Sequence, residues 1–488
     1  MKRISIQGLA ILLGMLGLTI EIVMLYFRPH ESWYDDAFWA DWGFRLSQGE
    51  FVSTVWGGGK PSYSPLYALM MALWYKLLGF SYFTAQLPNL LFAFLAYLVI
   101  VFRLDGGTLL RSKWSLLALA FGYWASDSLF GIFTCGRVDT LCLLLGLLTI
   151  DSFARAFENR KVKDVFLLCV WSAFQMATGF EGVLFTVIVI LIYGVLQWRK
   201  ALHNWTLYLY YAISSIVSLG GVLLYMASHD CAKAFIRTTF GFSYTIQGAI
   251  QFFETGKFSF DTPVPIDDRM TLRERIDSLT IDGLMANREY GVLLIIVIIL
   301  VAIVLYRKEL KNLSSICGTM IVAGILAPWV YIVAGRYAWY YTWAAYVPIL
   351  VSFCVLIEKV GVEKIVSSLL CIGMCLWFTL SPEYKDRKRL DFRHVIDEQN
   401  LCDIRSAGIS PRESTYIPYK WYYYLAPTNN KLYFEGSGSY PKDMTKMVLS
   451  SPKEVEYWGN ILELEYQYKV GSYGIYRVLG EKSNGFLR

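Results

Sequence analysis

Two adjacent carboxylates, Asp35 and Asp36, stand in the run Trp33-Tyr34-Asp35-Asp36-Ala37-Phe38. Aspartate is a favoured helix N-cap, and acids suit the positive end of a helix. One cap needs one aspartate, so the second is left for another task. A carboxylate can take a proton from a hydroxyl as a general base. Two together could also hold a divalent cation through oxygen, so metal dependence stays open. The flanking aromatics suit stacking on a sugar or anchoring at a membrane interface. Further along, Asp127, Arg137, Asp139, Glu181 and Arg336 stand in or beside apolar runs. Ionisable groups are costly there and mark functional candidates. Snorkelling or mutual pairing explains any one of them equally well, but a group of both signs at one depth favours a buried polar site. Elsewhere the signal is weaker. His229 and His394 have no partner at metal-ligand spacing, and Asp267-Asp268-Arg269 reads as solvated charge. Tyr422-Tyr423-Tyr424 fits either a sugar-binding patch or a half-buried strand. The nine cysteines show no CxxC and read as small core residues.

The chain that must position these groups has 488 residues, 56% of them hydrophobic and 16% aromatic, with a net charge of +6. Apolar runs over 9–26, 295–306 and 367–380 approach the roughly 20 residues that cross a bilayer. The expected fold class is an all-α polytopic membrane bundle of about eleven spans. These lie near 8–27, 83–102, 114–133, 137–153, 165–178, 181–198, 205–227, 290–306, 314–334, 341–358 and 365–380. The fifth and sixth meet at 178–182 and could instead be one kinked helix, which would reverse everything downstream. Met1-Lys2-Arg3 precedes a run with no small-residue cleavage site, interrupted by Glu21, so a retained first helix is expected. Short basic loops around Arg103, Arg111 and Lys113, Arg155 to Lys163, Arg199 and Lys200, Arg307 to Lys311, and Lys359 and Lys364 define the cytoplasmic side. The other side holds 28–82, 228–289 and everything after 381.

Within 28–82, Phe38, Trp42 and Leu46 form one stripe and Asp41, Arg45 and Gln48 the opposite one, the pattern of an interfacial amphipathic helix. A second apolar helix over 65–78 is expected along the outer leaflet. Past 381 the composition becomes that of a small soluble α/β domain. It should hold a helix over 392–399, strands over 416–425 and 431–434, a helix opening at Ser451-Pro452 and a hairpin around Gly471-Ser472. The expected domains are therefore 1–380, a membrane module, and 381–488, an extracytoplasmic α/β domain.

Asp35-Asp36-Ala37-Phe38, Arg45-Leu46-Ser47-Gln48-Gly49 and Ser62-Tyr63-Ser64-Pro65-Leu66-Tyr67 together resemble the first outer loop of the polyprenyl-phosphate-sugar-dependent membrane glycosyltransferases of GT-C fold. That superfamily includes the protein O-mannosyltransferases and the aminoarabinose transferases of lipid A. The pattern here is most similar to a bacterial variant found among arabinofuranosyltransferases. The resemblance continues in Gln86-Leu87-Pro88, Gly136-Arg137-Val138-Asp139 and 336–348, and covers most of 1–360. It implies transfer of a sugar from a polyprenyl-phosphate donor to a glycan, glycolipid or protein hydroxyl, with inversion, outside the bacterial cytoplasmic membrane, and no nucleic-acid partner. It implies Asp35 as the catalytic carboxylate and Asp36 beside it, where relatives often carry glutamate. Relatives often have lysine before Pro-Leu, arginine before Leu-Pro and lysine near 178–182; this chain has Ser64, Gln86 and Gly179-Phe180. Arg45, Lys60, Arg137 and Arg336 remain as candidates to face the donor phosphate, with Asp139 and Glu181 also expected at the substrate. A lipid-linked-sugar flippase would explain the spans but tends to show inverted repeats, and none is visible. A non-catalytic membrane binding protein would not explain Asp35-Asp36 above further buried charges.

Overall fold

A computed structural model of the chain describes residues 5–27, 34–51, 61, 63–107, 109–241, 315–333, 341–380, 393–411, 413–429, 431–434 and 444–482. The span expected near 290–306, Lys60 and Arg336 lie outside the described residues. The chain opens with α1 (Ile6–Phe27), α2 (Tyr34–Ser47), α3 (Leu66–Leu78) and α4 (Tyr82–Phe102). Next come α5 (Lys113–Trp124), α6 (Asp127–Thr134), α7 (Asp139–Asn159), α8 (Val162–Thr178) and α9 (Phe180–Leu196). They are followed by α10 (Trp198–His203), α11 (Trp205–Ser228) and α12 (Ala232–Gly241), and further on by α13 (Ser315–Val333), α14 (Trp343–Val360) and α15 (Glu363–Leu380). Among the described residues, α1, α4, α7, α11 and α14 are each long and apolar enough to cross a membrane, and α3, α9 and α13 are apolar but shorter. The chain is a multi-pass membrane protein.

Its outer surface agrees with that reading. Leu12 and Leu16 of α1, Ile216 and Leu224 of α11 and Ile365 and Leu369 of α15 are exposed, as side chains facing lipid would be. The centre is α7, buried along nearly its whole length against α4, α8 and α9. Gly14 and Gly17 bring α1 close to Tyr97 of α4 and Trp124 of α5, where a Cβ would collide with the rings. The single span expected over 114–133 is divided: α5 stops at Trp124, and Ser126 caps α6 by accepting the Leu129 N–H at 3.4 Å. The turn at 178–182 separates two helices, α8 and α9, that pack side by side.

The carboxy-terminal part contains α16 (Arg393–Ser406), β1 (Thr415–Ile417), α17 (Tyr419–Leu425), β2 (Leu432–Phe434), β3 (Lys446–Leu449), α18 (Pro452–Ile461), β4 (Leu462–Val470) and β5 (Tyr473–Glu481). The sheet order is β2-β1-β3-β5-β4, with β1 parallel to β2 and β3 and the β4–β5 hairpin antiparallel. The strand expected over 416–425 is corrected to a three-residue strand followed by a helix. Pro418 cannot donate to a ladder and stands at the helix N-cap instead. Ser451 and Glu454 form a reciprocal capping box that opens α18. Alternate residues of each strand face opposite ways. Tyr416 and Met447 pack with Trp458 of α18, whereas Ile417, Val448 and Ile475 join, through α17, the same core that fills the membrane helices.

Candidate active site

The site begins with how α2 is held. The expected interfacial helix is not half-exposed: Phe38, Trp39, Asp41, Trp42 and Arg45 are all buried. Its apolar stripe packs on α3, where a Cβ on Gly43 would lie 2.7 Å from Met71 Cβ. Trp39 stacks on Trp42 at 5.7 Å and meets Tyr67 edge-on at 5.3 Å, while Phe38 meets Tyr63 at 5.3 Å. The polar stripe, expected to face water, faces the carboxy-terminal unit instead. Arg45 Nε lies 3.3 Å from Asp41 Oδ1, the Tyr422 hydroxyl of α17 donates to that same oxygen, and Glu50 stands 3.8 Å from Arg45. Burial, and after it the Asp41 carboxylate, push the Tyr422 hydroxyl well above its usual range, with Arg45 pulling the other way. Burial works against the charge of Arg45, but Tyr422 and Asp41 outweigh it and its pKa is raised.

Asp36, in the first turn of α2, is completely buried. It faces the short connection from α6 to α7. A Cβ on Gly136 would touch Asp36 Cβ at 3.7 Å and the Ala85 carbonyl at 3.4 Å, and the Cys135 thiol is hydrogen-bonded to the Asp36 carboxylate. Asn89 of α4 fixes that connection: its amide donates to the carbonyls of Cys135 and of Arg137, the latter at 2.6 Å, and accepts the Tyr67 hydroxyl at 3.3 Å. Pro88 makes a second joint. Lacking an N–H, it frees the Thr84 carbonyl, which accepts the Trp74 indole of α3 at 2.9 Å. In the sequence Asn89 gives no signal beyond being a polar residue next to Pro88 inside an apolar run, and Tyr67 none beyond closing the Ser62–Tyr67 run.

Arg137 and Asp139 form a buried ion pair, Nε to Oδ2 at 2.9 Å, with side-chain exposures of 7% and 2%. Glu181, at the start of α9, is buried near enough for its charge to bear on Asp139. Tyr341 donates to Glu181 Oε1 at 3.3 Å, and Tyr331 of α13 donates to its backbone carbonyl at 2.6 Å. The structure thus brings together Asp36, Arg137, Asp139 and Glu181 at one end of the bundle. It sets Arg45 apart, nine positions along α2 from Asp36, a distance of about 13 Å at the rise of a helix. Among the described residues no three His, Cys, Asp or Glu side chains gather as metal ligands.

The apolar helices and the small carboxy-terminal unit together share their fold with a solved structure. The chain aligns with ArnT from Cupriavidus metallidurans bound to undecaprenyl phosphate at a TM-score of 0.61 and 10% identity, over 96% of this chain and 98% of that one. The Archaeoglobus fulgidus oligosaccharyltransferase matches at 0.47 and 10% identity, over 94% of this chain and 72% of that one. Arabinosyltransferase EmbB from Mycobacterium smegmatis matches at 0.44 and 12% identity, over 94% of this chain and 45% of that one. No family model and no curated protein sequence matches the chain.

Proposed function

We propose that this protein is a membrane glycosyltransferase that moves a sugar from a polyprenyl-phosphate donor to a hydroxyl of a cell-envelope glycan, glycolipid or protein. The observation that carries this reading is the buried placement of Asp36 against Gly136, beside Arg137, Asp139 and Glu181. The fold shared with ArnT, a protein crystallised with undecaprenyl phosphate, supports it. In this reading Asp35 takes the proton of the acceptor hydroxyl. The freed oxygen attacks the anomeric carbon opposite the phosphate, the carbon–oxygen bond to phosphate breaks, and the phosphate leaves with the electron pair. Carboxylate charge stabilises the oxocarbenium-like state, and the configuration inverts. Cations meet the charge growing on the phosphate; Arg137, Arg336 and Lys60 are the candidates, with Asp139 and Glu181 orienting the guanidinium and the sugar. Residues 1–380 form the membrane module, and 381–488 cover it on the outer face of a bacterial cytoplasmic membrane.

The test is incubation of the purified protein with undecaprenyl phosphate carrying mannose, glucose, arabinofuranose or aminoarabinose, followed by mass spectrometry for released undecaprenyl phosphate. Envelope glycans are compared in cells with and without the protein. Release from at least one donor and one missing glycan are expected. No release, with glycans unchanged, would sink the reading.

A further inference from the structure

Tyr82, Gln86 and Asn89 fall on one face of α4, at spacings of four and three residues. Ala85, on the same turn as Gln86, touches the Asp36–Gly136 contact through its carbonyl. Asn89 is fully occupied in holding the connection from α6 to α7. Gln86, one turn nearer the carboxy-terminal unit, is completely buried, yet neither its Oε1 nor its Nε2 has a hydrogen-bond partner among the described residues. It is the one buried side chain there with two such atoms. The Tyr82 hydroxyl lies beside the amide, close enough for a weak contact with it and within reach of the charge of Asp36, but neither group makes a hydrogen bond of good geometry. Gln175 shows what a structural glutamine does in this protein: its amide donates to Gly182 O at 2.8 Å and Thr186 Oγ1 at 2.6 Å.

Burying an amide with nothing to bond costs folding free energy, and an apolar side chain of the same shape would avoid that cost. A site that retains the amide is one where a ligand completes it. The amide offers two donors and an acceptor, the phenol one of each, and neither carries charge. That pair offers acceptors as well as donors, which a neutral hydroxyl can use in full, whereas a phosphate or carboxylate, an acceptor only, would leave the amide oxygen unmatched. We propose that Gln86 and Tyr82 form a neutral hydrogen-bonding subsite beside Asp36 that takes a sugar hydroxyl. This assignment rests on the glycosyl-transfer reading and adds to it the polarity of the group recognised.

The test uses the full-length protein carrying Gln86→Met, close in shape and without the amide. Its melting temperature should equal or exceed that of the parent, and its KM should rise at least about tenfold for one substrate, as expected when a hydroxyl loses its partner. A rise for the sugar donor assigns the hydroxyl to the transferred sugar; a rise for the acceptor assigns it there. Tyr82→Phe should shift the same KM. A melting temperature several degrees lower would make Gln86 a structural residue and overturn the proposal, as would unchanged KM values for both substrates. If the parent protein transfers none of the sugars, the glycosyl-transfer reading fails separately. The melting comparison still decides whether Gln86 serves the fold or a ligand.

Discussion

Asp35 and Asp36 are adjacent in the first turn of α2, and substitution by asparagine separates a chemical role from a helix-dipole one. There, inside the helix and not at its N-cap, a carboxylate gains about 0.3–1 kcal/mol from the helix dipole, so Asp35→Asn should stay within about 1 kcal/mol of the parent in stability. A neutral amide cannot accept a proton, and loss of a positioned base costs on the order of 10²–10⁴ in rate. The variant should therefore be well folded and nearly inactive in the donor assay; near-normal transfer would remove Asp35 from the mechanism. The pair of Arg137 with Asp139 poses a different question, because both are buried and bonded to each other. Arg137→Ala alone strands the carboxylate and should destabilise by about 3–5 kcal/mol. The double variant Arg137→Met, Asp139→Leu removes both charges and should regain most of that loss. If Arg137 also meets the donor phosphate, the double variant melts near the parent and still fails to transfer. Recovery of transfer with stability would confine the pair to the fold.

Helix α2 faces α3 with its apolar stripe and α17 with its polar one, and Phe80 and Tyr82 add ring contacts to Tyr423 of α17. Tyr422→Phe removes a donor to the buried Asp41 and should cost about 1–3 kcal/mol. Its pH dependence has a definite sign. An unfolded tyrosine ionises near pH ~10, while burial and Asp41 hold the folded hydroxyl well above that. Stability from this group is complete below about pH 10 and falls as pH rises from there toward the folded pKa. Alkaline melting curves of the parent should show that extra loss and those of Tyr422→Phe should not. At the other stripe, Gly43→Val would press a branched side chain into Met71 and Tyr75, destabilising by about 1–3 kcal/mol; unchanged melting would mean that α2 and α3 can part. These contacts explain what was legible in the sequence. Apolar runs give α1, α4, α7, α11 and α14 directly, because bilayer length is a local property. The cap at Ser451 and the hairpin at Gly471 are local too. The burial of Asp41 and Arg45 was not readable, since their partner lies 381 positions away. Asp36 could be nominated by its neighbours in the chain, but the Asn89 joint that seats it depends on tertiary approach.

At the scale of the whole molecule the charged contacts of the described membrane helices sort into two ends. At one, Asp151 bridges Arg103 and Arg155, Lys200 pairs with Glu158, and the Arg111 backbone binds Glu358. At the other lie Asp36, Arg137, Asp139 and Glu181, with the carboxy-terminal unit fastened to the same end by Tyr422 and Asp41. The first end is that of the short basic loops, which the positive-inside rule assigns to the cytoplasm. The tie between Tyr422 and Asp41 puts site and carboxy-terminal unit on one side together, so a single measurement orients both. Alkaline phosphatase fused after residue 488 should be active, and a fluorescent protein that fails to mature outside the cytoplasm should stay dark there. The same fluorescent protein inserted between α7 and α8, at 160–161, should glow. The opposite pattern at both positions would turn the whole bundle over and place the site on the cytoplasmic face. A donor presented on the outer leaflet could not then reach Asp35, and the outer-face reading would have to be abandoned. Activity of alkaline phosphatase at both positions would instead mean an even number of crossings between them, against the seven expected from the apolar runs over 165–380.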